Sequence, residues 1–266
     1  MKVEQRLGLM TSVLPPDLSV VIVNHNGASI LAQCLESLYR TKGTLKVEIY
    51  VVDNGSTDLS VSMLKSCYPE VYIIVNDNNL GFARANNQAL TMCQGRYVLL
   101  LNNDTILLEE ALQAMIEFMD RNPIVAGVGP QLLNADGTVQ PSCMHFPSLK
   151  NSLKGFVRVR LGKQSQFVPH TTTEYIPVDV VSGACIMLRK QALQEVGLLD
   201  ESYYMYAEET DWCYRAKQAG WVIAYLPKAK VIHLRGQTAR LYWARSYADR
   251  RVGRLRFLLK FRGRTE

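Results

Sequence analysis

Residues 18–27 read LSVVIVNHNG, an apolar and largely β-branched run that ends in polar residues and glycine. Such a run is typical of a buried parallel strand. Residues 30–39 follow with apolar side chains at helical spacing, which predicts a helix. A buried strand that leads directly into an amphipathic helix is the beginning of a βαβ unit.

The same alternation continues along the first half of the chain. Strands are predicted at 47–52, 71–75 and 97–101, and helices at 58–67, 82–93 and 109–119. Helices of this length between strands imply right-handed crossovers and a mostly parallel central sheet flanked by helices. The sequence therefore predicts an α/β fold.

The alternation stops after Val125. The sequence NADG at 134–137 predicts a hairpin turn. The Ser-, Thr- and Pro-rich stretch at 141–177 predicts a long mobile loop, which in a compact domain is often a functional lid. Further strands are predicted at 178–188, 221–225 and 230–234, and helices at 191–196 and 208–219. We expect one domain over 18–238, preceded by a lead-in at 1–17 and followed by a basic appendage at 239–266.

The composition excludes several classes of protein. The chain has 266 residues, 48% hydrophobic and 20% charged, which is the balance of a globular protein and not of a disordered or collagen-like one. No apolar run reaches the roughly 20 residues of a spanning helix. The six cysteines lie far apart without a C-x-x-C pair, so neither a disulfide scaffold nor a zinc site is indicated. Buried free thiols are typical of a reducing compartment, which predicts a cytoplasmic location.

Each of the first four predicted strands ends in polar residues, and a glycine follows the first three. These clusters begin at Asn24, Asp53, Asn76 and Asn102, and the carboxyl ends of parallel strands share one edge of a sheet. Turns and helix caps explain one such cluster sufficiently, but four in succession favour a ligand-binding edge. The glycine patterns of dinucleotide-binding domains and P-loops are absent from the sequence.

Two of the polar segments suggest particular chemistry. Asn102-Asn103-Asp104 presents hard oxygen donors that suit Mg²⁺ or Mn²⁺, or else caps the helix that follows. Glu208 and Glu209 follow tyrosines at 203, 204 and 206. They are either a partly desolvated general base or acidic residues that the helix dipole favours. His233 is either a structural histidine or a nitrogen ligand of the same metal.

Taken in order, these segments resemble the family 2 glycosyltransferases, inverting enzymes with the GT-A (Rossmann-like) fold. The resemblance covers about residues 18–238. It is carried by VVIVNHN at 20–26, VVDNGSTD at 51–58, NLGFA at 79–83, LNND at 101–104, VSGA at 181–184, EETDW at 208–212 and His233. The last motif looks most like the bacterial branch that includes rhamnosyltransferases of cell-surface polysaccharides. The resemblance implies transfer of a sugar such as rhamnose from a dTDP- or UDP-sugar to a hydroxyl of a glycan or polyprenyl-linked acceptor.

The resemblance also implies a role for each matching residue. Donor binding falls to Val23, His25, Asp53, Gly81, Asn103 and Asp104, with the base near His25 and its imide N–H donating to Asp53. Asp104 and His233 would bind Mg²⁺ or Mn²⁺. Glu209 would be the catalytic base, at a position where Asp is more usual. The acceptor side would include Gly183, Tyr206, Glu208 and Trp212. Amides replace two carboxylates of the family's metal motif, so we expect weaker metal affinity.

The C-terminal segment has a charge of its own. Residues 228–266 carry 12 Lys and Arg against 2 Asp and Glu, whereas the first 227 residues carry 18 against 22. Within 240–264, Val252, Leu255, Leu258 and Leu259 lie at helical spacing between basic residues. This predicts either a helix on an anionic membrane surface, at the inner face of the cell membrane, or a helix that packs its apolar stripe on the body.

Two other function classes compete with the transferase. A nucleotidyltransferase would need a Gly-, Arg- and Lys-rich loop after the first strand, where this chain has NHNG. A degenerate, non-catalytic domain that binds a nucleotide-sugar or nucleic acid is the alternative. Apart from charge, no nucleic-acid motif occurs, so no nucleic-acid partner is expected.

Overall fold

A computed structural model describes residues 15–148, 166–169, 174–234 and 243–261, with side chains of the last range from 247 onward. The strands are β1 (Leu18–Asn24), β2 (Val47–Asn54), β3 (Tyr72–Asn76), β4 (Tyr97–Asn102), β5 (Thr105–Leu107), β6 (Val125–Leu133), β7 (Val139–Gln140), β8 (Cys143–Met144), β9 (Ile176–Val178), β10 (Val180–Val181), β11 (Cys185–Arg189) and β12 (Val222–His233). The helices are α1 (Ala28–Thr41), α2 (Ser60–Cys67), α3 (Phe82–Leu90), α4 (Ala111–Arg121), α5 (Lys190–Val196), α6 (Glu208–Gln218) and α7 (Trp243–Phe261).

The main sheet has the strand order β3-β2-β1-β4-β11-β6-β12-β5 within the described ranges. The first four strands of this order are parallel, as predicted from the alternating pattern. Strand β11 then runs antiparallel to both β4 and β6, whereas β12 is parallel to β6. The carboxyl ends of β1, β2 and β4 consequently share one edge with the start of β11.

The predicted strand at 178–188 is wrong as a single element. It is three short strands, because each piece pairs with a different partner: β9 with β12, β10 with β8, and β11 with β4. The chain turns at Ser182 and Gly183 between the last two pieces. That turn places the residues before β11 at the edge of the sheet where β1, β2 and β4 end.

The separate strands predicted at 221–225 and 230–234 are also wrong. They join into β12, whose pairing with β6 shifts register between Leu226 and Lys230. The irregular register explains why the pattern looks like two strands. Strand β5 was not predicted; it pairs antiparallel with the end of β12, and Thr105 lies opposite His233.

The predicted helices from α1 to α6 are all present, with ends that differ by three residues or fewer. Two apolar clusters cover the opposite faces of the sheet, one built with α1 and α4 and the other with α3 and α6. Five of the six cysteines are buried free thiols, as expected from their apolar surroundings, and Cys67 is exposed. Burial raises the pKa of the Cys34 thiol to about 12.

Helix α7 packs on the body, but not through the predicted stripe. Phe257 is fully buried and stacks near Phe146 and Tyr214. Val252 and Leu255, together with Leu259, remain between 53% and 67% exposed. No helix in the described ranges is long and apolar enough to cross a bilayer.

Some of the sequence predictions lie outside the described residues. The lead-in at 1–17 is described only from residue 15, and the loop at 141–177 only at 141–148, 166–169 and 174–177. The lid and the domain boundaries remain predictions.

Candidate active site

The loops after β1 and β2 are joined by hydrogen bonds between their polar side chains. Asn24 is fully buried, and its Nδ2 donates to Asp53 at 3.2 Å and to Ser60 Oγ at 2.9 Å. Asn26 accepts from the Thr57 backbone N–H at 2.7 Å and has a positive φ of 52°. Asn tolerates this left-handed conformation better than most residues. The two loops therefore form one rigid wall of the site.

Asp53 lies beneath this wall with no exposed surface. One carboxylate oxygen accepts from Asn24, and the other accepts from the Ser56 backbone N–H at 3.0 Å. Each oxygen can accept a further hydrogen bond, but a base could reach the buried carboxylate only after the surrounding side chains move. In this structure Asp53 positions the loop, and its predicted contact with the base remains a prediction.

His25 and Val23, which are predicted to bind the donor, lie at the carboxyl end of β1. His25 is half-buried at the end of β1, and its Nδ1 is 3.0 Å from the Asn54 carbonyl oxygen. That contact makes Nδ1 the donor and fixes the ring. Val23 pairs with Val52 on one side and with Asn102 on the other, near the carboxyl ends of β1, β2 and β4.

The third loop is held against the segment that precedes α6. Gly81 has a φ of 86°, and the backbone of Tyr204 occupies the space where a Cβ would lie. The Phe82 N–H donates to the Tyr204 carbonyl at 2.7 Å. Glycine is needed here for this close approach of two chains, so its role extends beyond the predicted approach of a nucleotide.

The two predicted metal ligands, Asp104 and His233, are neighbours in the structure although 129 positions separate them. His233 Nε2 is 3.3 Å from Asp104 Oδ1, and both side chains are less than 15% exposed. The pairing of β5 with β12 enforces this proximity, and the Leu234 N–H also donates to the Asp104 carbonyl at 2.9 Å. Asn103 lies on the other side of Asp104 and donates to Asn24 at 2.8 Å.

Gln140 fixes the tautomer of His233. Its Nε2 donates to the Asn134 side chain at 2.8 Å and to the His233 carbonyl at 3.1 Å. Its Oε1 must therefore accept from His233 Nδ1, 2.8 Å away. In the neutral ring this leaves the lone pair of Nε2 directed at the carboxylate of Asp104, an arrangement that a bound cation would relieve.

These donors fit a hard divalent cation. A carboxylate oxygen and an imidazole nitrogen are suitable ligands for Mn²⁺, and for Mg²⁺ with phosphate oxygens and water in the other positions. Among the described residues there is no group of three or more His, Cys, Asp or Glu that could hold a metal. A metal bound at Asp104 and His233 would therefore leave coordination positions open to water and to the phosphate oxygens of a substrate.

Glu209 lies beside the same edge of the sheet. Its side chain packs across Gly183, where a Cβ would lie 3.6–3.8 Å from its Cβ, Cγ and Cδ atoms. The next residue, Ala184, accepts the Asn102 N–H at 2.9 Å. A short chain of contacts thus joins Glu209 to the loop that carries Asp104.

Glu208 and Glu209 differ in environment although they are adjacent. Glu208 is 5% exposed, and one carboxylate oxygen of each residue is buried without a hydrogen-bond partner in the described structure. Burial and the charge of Glu209 raise the pKa of Glu208 well above its usual range. Burial also raises the pKa of Glu209, but backbone N–H groups and the charge of Arg250 act in the opposite direction. Of the two carboxyl groups, Glu209 therefore has the hydrogen-bond donors and the nearby positive charge that favour its ionised form.

The turn before these glutamates is conformationally strained. Tyr206 and Ala207 have positive φ angles of 68° and 77°, which L-residues rarely adopt in succession. Such conformations cost about 1–3 kcal/mol each and persist only where the surroundings impose them. Tyr206 belongs to this turn, two residues before Glu208, and its place on the acceptor side remains a prediction.

Trp212 does not belong to the site, and its predicted place on the acceptor side is wrong. It is 1% exposed, and its indole N–H donates to the Gly197 carbonyl at 2.9 Å. Helix α6 directs this side chain into the apolar cluster on the sheet, so its nearness to Glu209 in sequence does not bring it to the surface.

Sequence reasoning missed two residues near the site. Gln140 follows a predicted hairpin turn, and no pattern connects it with a histidine 93 positions later. Arg250 was treated only as part of a basic tail, whereas its guanidinium stacks 4.5 Å from the ring centroid of Tyr206. Only the tertiary fold reveals these contacts.

Comparison with known proteins gives a family match and several similar sequences. A family model described as Glycosyl transferase family 2 matches residues 19–197. The N-acetylglucosaminyl-diphospho-decaprenol L-rhamnosyltransferase of Mycobacterium tuberculosis (strain ATCC 25618 / H37Rv) is 30% identical over 243 residues, covering 84% of this chain and 76% of that protein. The low-salt glycan biosynthesis hexosyltransferase Agl10 of Haloferax volcanii is 28% identical over 224 residues, covering 82% of this chain and 67% of that protein.

Solved structures share the fold at low sequence identity. GalNAc-T7 with UDP, GalNAc and Mn²⁺ has a TM-score of 0.64 at 17% identity, covering 83% of this chain but 44% of that one. The mannosyltransferase PcManGT from Pyrobaculum calidifontis, with GDP-Man and Mn²⁺, has a TM-score of 0.64 at 17% identity, covering 93% of this chain and 65% of that one. The predicted fold class is confirmed.

Proposed function

The chain belongs to glycosyl transferase family 2 and uses a nucleotide-sugar donor, and on this premise we propose that it is a metal-assisted, inverting transferase with Glu209 as base. One observation carries the proposal. The Asp104–His233 pair and the side chain of Glu209 both lie near Asn102, because Asp104 follows Asn102 in the chain and Glu209 packs on Gly183, next to the Ala184 carbonyl that accepts the Asn102 N–H. A sugar transferase needs a cation site for the donor diphosphate and, near it, a base for the acceptor hydroxyl.

The chemistry is a single displacement. The Glu209 carboxylate takes the proton of the acceptor hydroxyl, whose oxygen forms a bond to the anomeric carbon of the donor sugar. The bond from that carbon to the diphosphate oxygen breaks on the opposite face, so the configuration inverts and a nucleoside diphosphate leaves. When bound, a divalent cation stabilises the negative charge that develops on the leaving diphosphate. Asp104 and His233 would hold it, and Asn103 would keep Asp104 in place.

For the substrates, we propose a dTDP- or UDP-linked sugar such as rhamnose and a sugar carried on a polyprenyl diphosphate. The name of the M. tuberculosis relative, at 30% identity over most of both chains, supports this choice. The non-catalytic alternative is disfavoured because the candidate base and both candidate metal ligands are retained and lie at one edge.

A donor screen tests this proposal. In the presence of Mn²⁺, dTDP- or UDP-sugars should raise the melting temperature by several degrees, because a ligand at about 100 times its Kd stabilises the folded state by about 2.7 kcal/mol. ADP- and GDP-sugars are the matched controls. A shift with those controls and none with dTDP- or UDP-sugars would contradict the proposed donor class.

We further propose that α7, within residues 240–264, rests on an anionic membrane at the inner face of the cell. Its exposed apolar stripe, defined as Val252, Leu255 and Leu259, lies on the opposite side of the helix from the buried Phe257. Arg251 and Arg256 flank the stripe and are themselves exposed. An apolar stripe between basic residues is complementary to a surface of anionic lipid.

The membrane contact predicts a loss of lipid binding in the double variant Leu255→Asp and Leu259→Asp. Each leucine contributes roughly 1.5–3 kcal/mol when buried, so affinity for phosphatidylglycerol vesicles should fall more than about tenfold in co-sedimentation. Ile124→Asp is the control, since Ile124 is 59% exposed elsewhere on the surface. Equal binding to vesicles of phosphatidylcholine alone, or no binding by the unaltered protein, would refute the contact.

A further inference from the structure

Helix α7 lies against the body at the strained turn before Glu209. A Cβ placed on Gly253 would lie 2.5 Å from the Tyr206 carbonyl oxygen and 3.2 Å from the Ala207 Cβ. The helix backbone therefore touches the two residues with positive φ. One turn earlier on the same face of α7 is Arg250, beside Tyr206.

The basic residues that hold this region together have their donors occupied. Arg215 donates to Asp211 and to two carbonyl oxygens at 2.6–2.7 Å. Lys260 of α7 pairs with Asp200 at 2.7 Å and with Asp211 at 2.6 Å. Arg215 and Lys260 are thus paired with aspartates or carbonyl oxygens of the body, and their role is structural.

Arg250 is different. It is exposed, its guanidinium stacks on Tyr206, and its Nη2 is 3.5 Å from the Tyr206 hydroxyl. Within the described ranges it pairs with no carboxylate. Its positive charge nevertheless reaches Glu209, where it opposes the effect of burial on the pKa. A cation held in a fixed orientation near the base, with donors left over, is suited to bind an anionic group of the substrate.

We infer that Arg250 binds the phosphate adjoining the acceptor sugar and so selects acceptors in which that sugar is carried on a diphosphate. This inference rests on the proposed function. Stacking on Tyr206 alone would be worth about 0.5–1 kcal/mol and would need no free donors. The position also agrees with the membrane contact, because α7 would bring Arg250 to the head-group level, where the diphosphate of a polyprenyl acceptor lies.

The chain offers a matched control for Arg250. The next residue, Arg251, lies on the same helix, is exposed, and stacks on the exposed Tyr247 at 4.9 Å. It has the same charge and the same kind of aromatic contact but does not touch the turn before Glu209. Any effect of charge alone on lipid or substrate should appear equally in Arg251→Ala.

The test compares two short-chain, soluble acceptors with the same sugar, one on an alkyl diphosphate and one on a neutral alkyl glycoside, without membranes. Arg250→Ala should raise KM for the diphosphate acceptor about tenfold to a hundredfold, since hydrogen bonds to charged groups contribute about 1.5–3 kcal/mol. KM for the neutral acceptor and the Kd for donor should not change. Arg250→Lys should recover part of the loss, and Arg251→Ala should behave like the unaltered protein.

Three other outcomes would overturn the inference, the third of them in a repeat of the test with anionic vesicles. An equal loss on both acceptors would mean that Arg250 only supports the turn, and no loss on either would mean that the phosphate lies elsewhere. If the loss appeared only when anionic vesicles are added, the bound phosphate would be that of a membrane lipid. Calorimetric titration with the alkyl diphosphate acceptor needs no turnover: if the protein binds it through Arg250 but transfers no sugar, the proposed function fails and the inference survives.

Discussion

Replacing Glu209 by Gln should reduce kcat by about 10²–10⁴-fold and leave donor binding unchanged. The substitution keeps the shape of the side chain but removes its ability to accept a proton, and positioned bases contribute about this factor. The donor should bind normally because the proposed metal ligands that assist its binding, Asp104 and His233, are unchanged. Turnover under saturating substrates, with calorimetry for the donor, measures both quantities.

The adjacent residue provides the control. Glu208 is buried, and burial together with the charge of Glu209 raises its pKa and so favours its neutral form, which Gln resembles, so Glu208→Gln should preserve most of the activity. A loss as large in Glu208→Gln as in Glu209→Gln would contradict the assignment of the base. Near-normal turnover of Glu209→Gln would contradict it as well.

The pH profile depends on the same assignment. The base acts in its ionised form, so kcat/KM falls as the pH is lowered through the pKa of Glu209. Since burial raises that pKa, the acidic limb should lie above the value of about 4.3 for an ordinary glutamate. The limb should be absent from the residual activity of Glu209→Gln.

Replacing Asp104 by Asn or His233 by Ala should abolish the increase in donor affinity that Mn²⁺ produces. Each substitution removes one of the two protein ligands. Loss of a mere supporting residue already costs about 10–100-fold in metal affinity, so a ligand should cost at least that much. Donor titrations by calorimetry with and without Mn²⁺ give the effect directly, without a turnover assay.

A second His–Asp pair serves as the control. His145 Nδ1 lies 3.3 Å from Asp179, the same separation as in the Asp104–His233 pair, but the His145 side chain is 67% exposed. His145→Ala should leave the Mn²⁺ dependence unchanged. If unaltered protein bound donor equally well with and without Mn²⁺, metal-assisted binding would be refuted.

The sequence was sufficient for the parallel half of the fold because each strand there is a continuous apolar run beside an amphipathic helix. The second half was harder for physical reasons. Strand β5 has three residues, too few to show a period, and it alone brings Asp104 against His233. The family resemblance assigned both residues to the metal, whereas periodicity did not connect them.

The fate of α7 shows why the buried face of a helix is difficult to predict. The leucine pattern suggested one stripe, but the body offers the aromatic rings of Phe146 and Tyr214, and these select Phe257 instead. Trp212 illustrates the reverse case. Motif membership placed it near the acceptor, yet burial of its large apolar ring and a partner for its N–H turned it inward.

The central claim is that Asp104, His233 and Glu209 face one cavity. Asp104 and His233 serve the donor diphosphate there, and Glu209 serves the acceptor hydroxyl. A crystal structure with Mn²⁺ and dTDP or UDP, recorded at the manganese absorption edge, tests it most directly. We predict an anomalous peak between the Asp104 carboxylate and His233 Nε2, in contact with a diphosphate whose far end faces Glu209. A peak bound to other residues, or a diphosphate turned away from Glu209, would contradict the claim.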